Sequence, residues 1–491
     1  MSSLLLLAGQ TFAGSSMVTP AVNHQLQVFQ DKLDDPQLVS FGINDRINMV
    51  YGYDYSNWTI IDGDDGLVIV DTGWFIERTK QALQDFRKSR NNHKPIKAII
   101  FTHMHVDHIA GIEGLFEDGK VENVDIYAQQ DWQRQGEYDA DSGQMLIRRG
   151  MSQMGYLLPY KDLAKGSFGA GIGRNALRGG THSSAYAPNK SINVSQGSAP
   201  VKVTISGIPM EFYYAPSDID AELLVWLPED RVVLAGDAVG GTLPYLITPR
   251  HEPERKPEGF LYTFKQILAL DPQDMIPGHG RPLQGSADVK AVVGSNYDVI
   301  TFLHDQVRRY ISLGYSADQV IDELKLPPRF ANNPDLQPRY HTLPWLIRGL
   351  YTNEAGWVQD INSLTQHTAS EQAKRFIRLI GADTMLQAAQ KAIEEKDYRW
   401  AISLAQMILN AEPENIAAKQ LLVVSLQGLA YTTDSAGERN YALTEAGTVA
   451  GTFNWDKVFT FVSSKLWANR DAASVFNLFA RRFQTQQSYG Q

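Results

Sequence analysis

The sequence predicts a layered α/β domain followed by an all-α domain, and three patterns along the chain support this division. Short β-branched and apolar runs end in polar turns through the first half, as in GLVIVDTG and VVLAGDAV. Helical stretches such as TKQALQDFRKSR separate several of these strands. Beyond about residue 295, glycine becomes sparse and apolar residues recur with the period of an α-helix. We therefore expect strands layered with helices first, and helices alone thereafter.

The expected domain boundaries follow these changes in pattern. Residues 1–34 are predicted to be an N-terminal tail or signal remnant, 35–290 the α/β domain and 291–364 a helical linker. Residues 365–455 have the pattern of consecutive amphipathic helices. Their one helix-turn-helix unit falls short of the three repeats that a solenoid needs, so we expect packing on a partner chain or on the first domain. Residues 456–491 form a tail to which the sequence assigns no function.

The composition excludes several functional classes. The 491 residues carry a formal net charge of −10, which disfavours nucleic acid because phosphate backbones bind basic surfaces. There is no cysteine, so a metal site would have to use histidine, aspartate, glutamate or water. No apolar run is long enough to predict a membrane span. The start, MSSLLLLAGQTFAGSS, resembles the end of a secretory signal, so we expect a periplasmic or secreted protein, with the cytoplasm as the alternative.

The stretch FTHMHVDHIAG, residues 101–111, crowds metal-binding side chains directly after an apolar strand. Side chains two residues apart past a strand end can point the same way, so His103 and His105 can bind one cation. Asp107 and His108 project to a neighbouring point from a tight turn or first helical turn. Zn²⁺ binds imidazole nitrogen and carboxylate oxygen, and two metals about 3.5–4 Å apart can hold a hydroxide between them. The pattern therefore predicts a metal site rather than surface histidines.

A two-metal site needs further ligands, and three candidates stand at the ends of other predicted strands. Asp237 in VVLAGDAV and His279 in MIPGHGRP each follow an apolar run. Asp218 in YYAPSDIDAEL follows an aromatic strand, but Asp220 and Glu222 compete with it. Each candidate could instead be a turn residue. The strand-end position favours a ligand role for Asp237 and His279 and leaves Asp218 open.

The motifs VDTG, THMHVDHIAG, LAGDA and PGHG, in this order, resemble the metallo-β-lactamase superfamily over residues 45–285. The resemblance implies a four-layer αβ/βα sandwich with two zinc ions at one edge of its two sheets. It also implies a ligand set for each metal position. His103, His105 and Asp218 would hold the first zinc, Asp107, His108 and His279 would hold the second, and Asp237 would bridge the two.

A second resemblance is to the alkylsulfatase branch of that superfamily, over most of residues 40–450. A carboxylate at position 218, where most of the superfamily has histidine, is typical of this branch, and RRGMSQMGYLLPY is similar to one of its segments. The stretch KDYRWAISLAQMILNAEPEN resembles its helical dimerisation domain, which implies a homodimer formed through residues 365–455. Arg250 keeps the register of an arginine expected near the sulfate, which it could bind as a fork.

The chain departs from the branch at positions that bear on the chemistry. The branch usually has glutamate at both acidic ligand positions, and here both are aspartate, which is one methylene shorter. Gly240 and Gly241 stand where the branch has a histidine that looks placed to assist the leaving group, and Tyr245 or His251 are the candidates to replace it. Met154 stands where the branch has a tyrosine.

These observations predict a di-zinc hydrolase that cleaves an organic sulfate ester, a small anionic substrate, with Asp107 and Arg250 as catalytic residues. The hydrocarbon tail would lie in an apolar cleft, for whose wall Tyr156, Trp226 and Tyr245 are candidates, although each could instead pack in the core. Two alternatives stay open, because a fold does not fix a substrate. One is another hydrolase of this fold, such as a phosphodiesterase, lactonase or β-lactamase. The other is a catalytically decayed interaction protein that keeps its metals.

Overall fold

The computed structural model describes residues 18–132, 143–159, 166–174, 180–183, 186–250 and 255–456. Residues 1–17 of the predicted N-terminal tail or signal remnant, nearly all of the predicted C-terminal tail, and His251 lie outside these ranges. Helix α1, His24–Leu33, falls within the predicted N-terminal tail, and it packs against the rest of the chain. Its Leu26 is fully buried, and its Gln30 side chain donates a hydrogen bond to the carbonyl oxygen of Gly173 at 3.0 Å.

The first sheet contains seven strands in the described part of the chain, and their spatial order is the sequence order. The first four strands pair antiparallel, and the fourth to the seventh pair parallel. The strands are Gln37–Phe41 (β1), Ile47–Tyr51 (β2), Trp58–Asp62 (β3), Leu67–Val70 (β4), Ile96–Ile100 (β5), Asp125–Gln129 (β6) and Lys190–Ile192 (β7).

The second sheet, with six described strands, is mainly antiparallel, and only β11 and β12 pair parallel. The strands are Val201–Ile205 (β8), Ile208–Tyr214 (β9), Leu223–Leu227 (β10), Val232–Leu234 (β11), Asp274–Ile276 (β12) and Leu283–Gln284 (β13). Because β10 is antiparallel to both β9 and β11, strands β9, β11 and β12 all run in the same direction. Their carboxyl ends therefore meet at one edge of the sheet.

Helices cover the outer face of each sheet, which gives the predicted four layers. Apolar side chains from both sheets, such as Val68 and Val225, fill the space between them. Phe86 packs on the outer face of the first sheet, and Phe260 on the outer face of the second. The helices of this part are Ile76–Arg90 (α2), Val106–Ile109 (α3), Gly143–Gln153 (α4), Pro257–Leu270 (α5) and Ser286–Ser312 (α6). The predicted boundary at residue 290 falls inside α6.

The rest of the described chain is helical, as the sequence predicts. Side-chain caps begin several of these helices, and Ser316 and Gln319 form a reciprocal capping box at α7. The helices are Ala317–Glu323 (α7), Pro328–Ala331 (α8), Leu343–Ala355 (α9), Ile361–Thr365 (α10), Ala369–Ile380 (α11), Ala382–Glu394 (α12), Tyr398–Ala411 (α13), Ile416–Thr432 (α14) and Ala436–Val449 (α15). In the described ranges, no helix combines the length and the apolar character needed to cross a membrane.

Asn440 on α15 joins the helical domain to the α/β domain. Its side chain is fully buried and makes three hydrogen bonds to backbone groups of the first domain. The Phe168 amide donates to Oδ1 at 3.0 Å, while Nδ2 donates to the carbonyl oxygens of Gln153 at 3.1 Å and Phe168 at 3.2 Å. One amide side chain therefore satisfies three backbone groups that are buried where the domains meet.

We expect Asn440→Ala to lower the free energy of unfolding by about 2–4 kcal/mol, because it leaves these buried backbone groups without partners. Chemical denaturation followed by circular dichroism measures the change. Asn362→Ala is the matched control, since Asn362 is exposed on helix α10. An Asn440→Ala variant as stable as the control variant would contradict this account of the domain contact.

Candidate metal centre

The seven residues predicted as metal ligands come together at one edge of the sandwich, between the two sheets. Each follows the carboxyl end of a strand, which is why residues distant in sequence meet here. His103, His105, Asp107 and His108 follow β5, Asp218 follows β9, Asp237 follows β11, and His279 follows β12. All are buried except His105, whose side chain is 21% exposed.

The HxHxDH segment turns sharply from strand into helix. His105 is the residue before α3, and Asp107 and His108 lie within this short helix. The turn brings Nε2 of His103 to 3.1 Å from Nδ1 of His105 and places the two rings edge to face. His103 and His105 thus lie side by side, and Asp107 and His108 follow on the next turn.

The side chains form two adjacent groups, and within each group the candidate ligand atoms lie within 4.8 Å of one another. The first group is His103, His105, Asp218 and Asp237, and the second is Asp107, His108 and His279. Asp237 also contacts the second group: its Oδ1 lies 3.1 Å from Nε2 of His108, and its Oδ2 lies 3.2 Å from Nε2 of His279. Asp237 thus lies between the two groups.

The residues present fit a metal centre, because three of the imidazoles are held from behind by oxygen atoms. Nδ1 of His108 lies 2.9 Å from Oδ2 of Asp71, Nδ1 of His279 lies 3.1 Å from the Tyr55 carbonyl oxygen, and Nδ1 of His103 lies 3.1 Å from the Thr102 hydroxyl. Outer partners of this kind typically orient metal-binding histidines.

Two buried atoms at the centre of the cluster also fit a cation. Nε2 of His108 and Oδ1 of Asp237 face each other at 3.1 Å, but neither makes a hydrogen bond of good geometry with a described residue. Both are atoms that bind Zn²⁺, and buried polar atoms of native proteins are rarely left unsatisfied.

Asp71 supports the site, although sequence reasoning gave it no role. It accepts hydrogen bonds from the backbone amide and the hydroxyl of Thr102, both at 2.8 Å, as well as facing His108. Its backbone has a left-handed φ of 60°. The VDTG motif was the available signal, since it places Asp71 at the end of β4, beside β5.

The sequence left Asp218, Asp220 and Glu222 as competitors, and the structure separates them. Asp220 is exposed, whereas Asp218 is fully buried in the first group. Glu222 is also fully buried, but its carboxylate lies behind the ligands. Its oxygens accept hydrogen bonds from the backbone amides of Asp218 at 3.0 Å and Asp237 at 2.6 Å. The pKa of Glu222 is raised to about 8. Burial is the largest cause, and the negative charges of Asp237 and Asp218 add to it.

Arg255 is a further residue that sequence reasoning missed. Its Nη2 lies 2.7 Å from Oδ2 and 2.6 Å from Oδ1 of Asp218, and its Nε donates to the Asp218 carbonyl oxygen at 3.3 Å. No motif marks Arg255, and nothing in the sequence indicates that it reaches back 37 positions to Asp218. Burial opposes ionisation of Asp218, but Arg255 and then His105 outweigh it and hold the pKa of Asp218 below its usual value.

The electrostatic environment differs among the imidazoles. Burial disfavours the charged form of an imidazole, and at His103 this effect prevails and lowers the pKa well below its usual value. At His279 the carboxylates of Asp237 and Asp107 outweigh burial and raise the pKa to about 9. The pKa of His108 is also raised, well above its usual value. A negative potential is therefore concentrated around Asp237, where a cation would be stabilised.

Two aromatic rings connect the metal centre to Arg250. The Tyr245 ring lies edge-on to His279, with centroids 6.3 Å apart, and the Tyr340 ring packs against Tyr245 at 4.9 Å. Arg250 donates a hydrogen bond from Nη2 to the Tyr340 hydroxyl at 2.9 Å. Met154, which stands where the resembled branch has a tyrosine, packs against the same aromatic cluster. Its sulfur accepts a hydrogen bond from the hydroxyl of Tyr55 at 2.9 Å.

The remaining wall candidates lie elsewhere. Tyr156 is half-buried in the turn that follows α4. Trp226 lies on β10 within the core beneath α5 and α6. It therefore packs in the core, which is the alternative to a place in the wall of the cleft. Tyr245 is the wall candidate that the structure brings to the metal centre.

Comparison with known proteins agrees with this architecture. Residues 51–279 match the family model of the metallo-beta-lactamase superfamily, and residues 316–451 match that of alkyl sulfatase dimerisation. A linear primary-alkylsulfatase from a Pseudomonas strain is 31% identical over 407 residues, which cover 81% of this chain and 74% of the relative. An alkyl/aryl-sulfatase from Saccharomyces cerevisiae is 26% identical over 418 residues, covering 83% of this chain and 63% of that protein.

A solved structure shares the architecture over most of this chain. The inverting sec-alkylsulfatase Pisa1 from a Pseudomonas species superposes with a TM-score of 0.79 at 25% identity, covering 88% of this chain and 68% of its own. The predicted four-layer sandwich with a helical domain and the resemblance to the alkylsulfatase branch are thereby confirmed. The chain belongs to the alkylsulfatase family, a family of sulfuric ester hydrolases within the metallo-β-lactamase superfamily.

Proposed function

We propose that the protein is a di-zinc hydrolase that cleaves alkyl sulfate esters. The observation that carries the proposal is the pair of adjacent ligand groups with Asp237 between them, in a chain of the alkylsulfatase family. Two groups of nitrogen and oxygen ligands suit two zinc ions, because each group offers imidazole and carboxylate donors.

The proposed ligands are those that the family resemblance implied. His103, His105 and Asp218 would hold one zinc, Asp107, His108 and His279 would hold the other, and Asp237 would contact both. Bound zinc supplies water of lowered pKa and offsets the negative charge of a sulfate group.

The side chains of this chain position the reactants. His105 and Asp107 are the most exposed of the proposed ligands, with side chains 21% and 12% accessible, so substrate and water approach from their side. Burial would raise the pKa of Asp107, but His108 and His279 outweigh it and keep this carboxylate ionised. Asp107 can therefore accept a hydrogen bond from the attacking water and orient it toward the ester.

Arg250 is the proposed sulfate ligand. Its guanidinium is held by the Tyr340 hydroxyl and packs against Gly150, where a Cβ atom would lie 3.0 Å from Cδ of Arg250. A planar, permanently charged group fixed in this way can bind two sulfate oxygens together. Tyr156 is proposed to contact the hydrocarbon chain farther from the metals.

Tyr245 is the proposed replacement for the histidine absent at Gly240 and Gly241. A Cβ atom on Gly240 would lie 1.2 Å from the Tyr245 hydroxyl oxygen, so the hydroxyl occupies the space that a side chain at position 240 would fill. This hydroxyl is buried without a hydrogen-bond partner in the described part of the chain. Burial, with Asp237 next in effect, holds the pKa of Tyr245 well above its usual value, so the group remains a hydrogen-bond donor. We assign it a bond to a sulfate oxygen of the bound ester.

The missing histidine also favours a second candidate, another hydrolase of this fold, and a substrate panel separates the two. We expect dodecyl sulfate to be hydrolysed faster than a phosphodiester, a lactone or a β-lactam. Asp237→Asn should reduce sulfate release more than about a hundredfold, since even outer-shell changes cost 10–100-fold. Asp220→Asn is the matched control, because Asp220 is exposed and lies close to Asp218 in the sequence without belonging to either ligand group. Faster cleavage of another substrate than of dodecyl sulfate would overturn the sulfatase assignment. If no substrate of the panel is hydrolysed, the alternative of a catalytically decayed interaction protein is favoured.

We expect Tyr245→Phe to lower kcat for dodecyl sulfate by about 10- to 100-fold with little change in KM, because the lost bond strengthens as charge develops on the sulfate. Steady-state kinetics with a metal count on each sample measures this. Tyr351→Phe loses a buried hydroxyl that donates to the Tyr315 carbonyl oxygen in the helix-lined core, and should leave kcat unchanged. Wild-type kcat in Tyr245→Phe would show that the hydroxyl makes no such bond.

The homodimer is proposed to form through an exposed apolar face of the helical domain. In helix α11 only Ala373 is buried, and the apolar side chains nearby are unusually accessible. Leu379 is 80% exposed, and Trp357, Ile361, Leu364 and Ile380 are also exposed. Exposed large apolar residues can mark interaction sites, and these lie within the segment that matches the dimerisation family.

Leu379→Glu should convert the dimer to a monomer, since a buried unpaired carboxylate opposes association. Size-exclusion chromatography with light scattering reports the mass. Ile43→Glu places the same charge at a 92% exposed position of the α/β domain and should remain dimeric. A dimeric Leu379→Glu variant would place the interface elsewhere.

A further inference from the structure

Among the contacts that the structure describes, Arg255 reaches only the first of the two ligand groups. Nη2 lies within 2.7 Å of both carboxylate oxygens of Asp218, and Nε reaches the backbone of the same residue. The Arg255 side chain is 3% exposed, so water screens its charge weakly. A full positive charge therefore lies directly on the carboxylate of the first group.

Among the residues that the structure describes, no arginine or lysine pairs with the second group. The ion pairs of Asp107 in the described ranges are with Nε2 of His279 at 3.3 Å and Nε2 of His108 at 3.7 Å. A second carboxylate, Asp71, stands behind His108 at 2.9 Å and increases the basicity of that imidazole. Negative charge is thus added to this group rather than cancelled.

Glu222 does not restore the balance in the first group. It lies behind His103, with Oε1 3.7 Å from Nδ1, just as Asp71 lies behind His108, so each group has one carboxylate behind its histidines. With neutral imidazoles, these two rear carboxylates balance each other, Asp218 and Arg255 sum to zero, and Asp107 keeps its full charge. Asp237 lies between the groups and serves both.

We infer that the two half-sites bind zinc with unequal affinity: the Asp107–His108–His279 half-site fills first, and Arg255 weakens the His103–His105–Asp218 half-site. This inference rests on the ligand set of the proposed function. A cation entering the weaker half-site must share Asp218 with the guanidinium or displace it within a buried environment, and both oppose binding. A neighbouring charge shifts a carboxylate's affinity for a proton by one or more pK units, so we expect at least about a tenfold difference for zinc. Arg255 acts here as a positioning residue, since it acts through Asp218.

Zinc titration of the full-length chain tests this inference without an activity assay. The chelator-stripped protein is titrated with zinc in competition with a chromophoric chelator, and two classes of site at least about tenfold apart are expected. Asp107→Asn should remove the tight class, and Asp218→Asn the weak class. Two equal classes, or loss of the tight class in Asp218→Asn, would overturn the inference even if no Arg255 variant folds.

Two substitutions of Arg255 then test its role. Arg255→Gln removes the charge and should strengthen the weak class by about tenfold or more while leaving the tight class unchanged. Arg255→Lys is the matched control, because it keeps the charge and should keep the two classes apart. An unchanged or weaker second class in folded Arg255→Gln would show that Arg255 supports zinc binding at Asp218 instead.

The outcome is separable from that of the proposed function. Equal zinc affinities in a protein that releases sulfate would overturn this inference alone. Unequal affinities in a protein that cleaves no sulfate ester would leave it standing and overturn the substrate assignment.

Discussion

The burial of four carboxyl groups at one point between the two sheets is the constraint on which the rest of the site depends. Asp107, Asp218, Asp237 and Glu222 are all buried, and an isolated buried carboxylate is very costly in free energy. Imidazoles, the Arg255 guanidinium and backbone amides offset this cost within the protein. The offset is uneven, because histidines face both groups whereas the arginine pairs with a carboxylate of the first group. Cations complete such a cluster, so the chemistry and the stability of this edge of the sandwich are linked.

The close packing of carboxylates and backbone accounts for two glycines in the motifs. A Cβ atom on Gly236, in LAGDA, would lie 2.3 Å from Oε1 of Glu222, and one on Gly278, in PGHG, would lie 2.3 Å from Oδ1 of Asp237. Gly236 also has a left-handed φ of 49°. The glycines let two loops approach close enough for their carboxylates and histidine to share one site. Any side chain at either position would separate the ligands.

The layered fold and the gathering of these histidines and aspartates at one edge could be predicted, because strand ends and HxHxDH spacing are local patterns. The sequence could not choose between Asp218 and Glu222, since both stand in one irregular segment and only the three-dimensional path decides which side chain turns inward. Asp71 carried a motif, but its contact with His108 depends on the pairing of β4 with β5. Arg255 had no local signal, because its partner lies on another loop. Long-range contacts of this kind follow from topology and not from spacing.

The central claim is that zinc at this cluster drives sulfate ester hydrolysis, and metal content measured together with activity tests it most directly. The protein, purified without chelator, is analysed for metals per chain and assayed for sulfate release from dodecyl sulfate before chelation, after it, and after zinc is returned. The account predicts two zinc ions per chain, loss of sulfate release on chelation and recovery with zinc. Less than one metal ion per chain, or sulfate release that survives complete removal of metal, would contradict it.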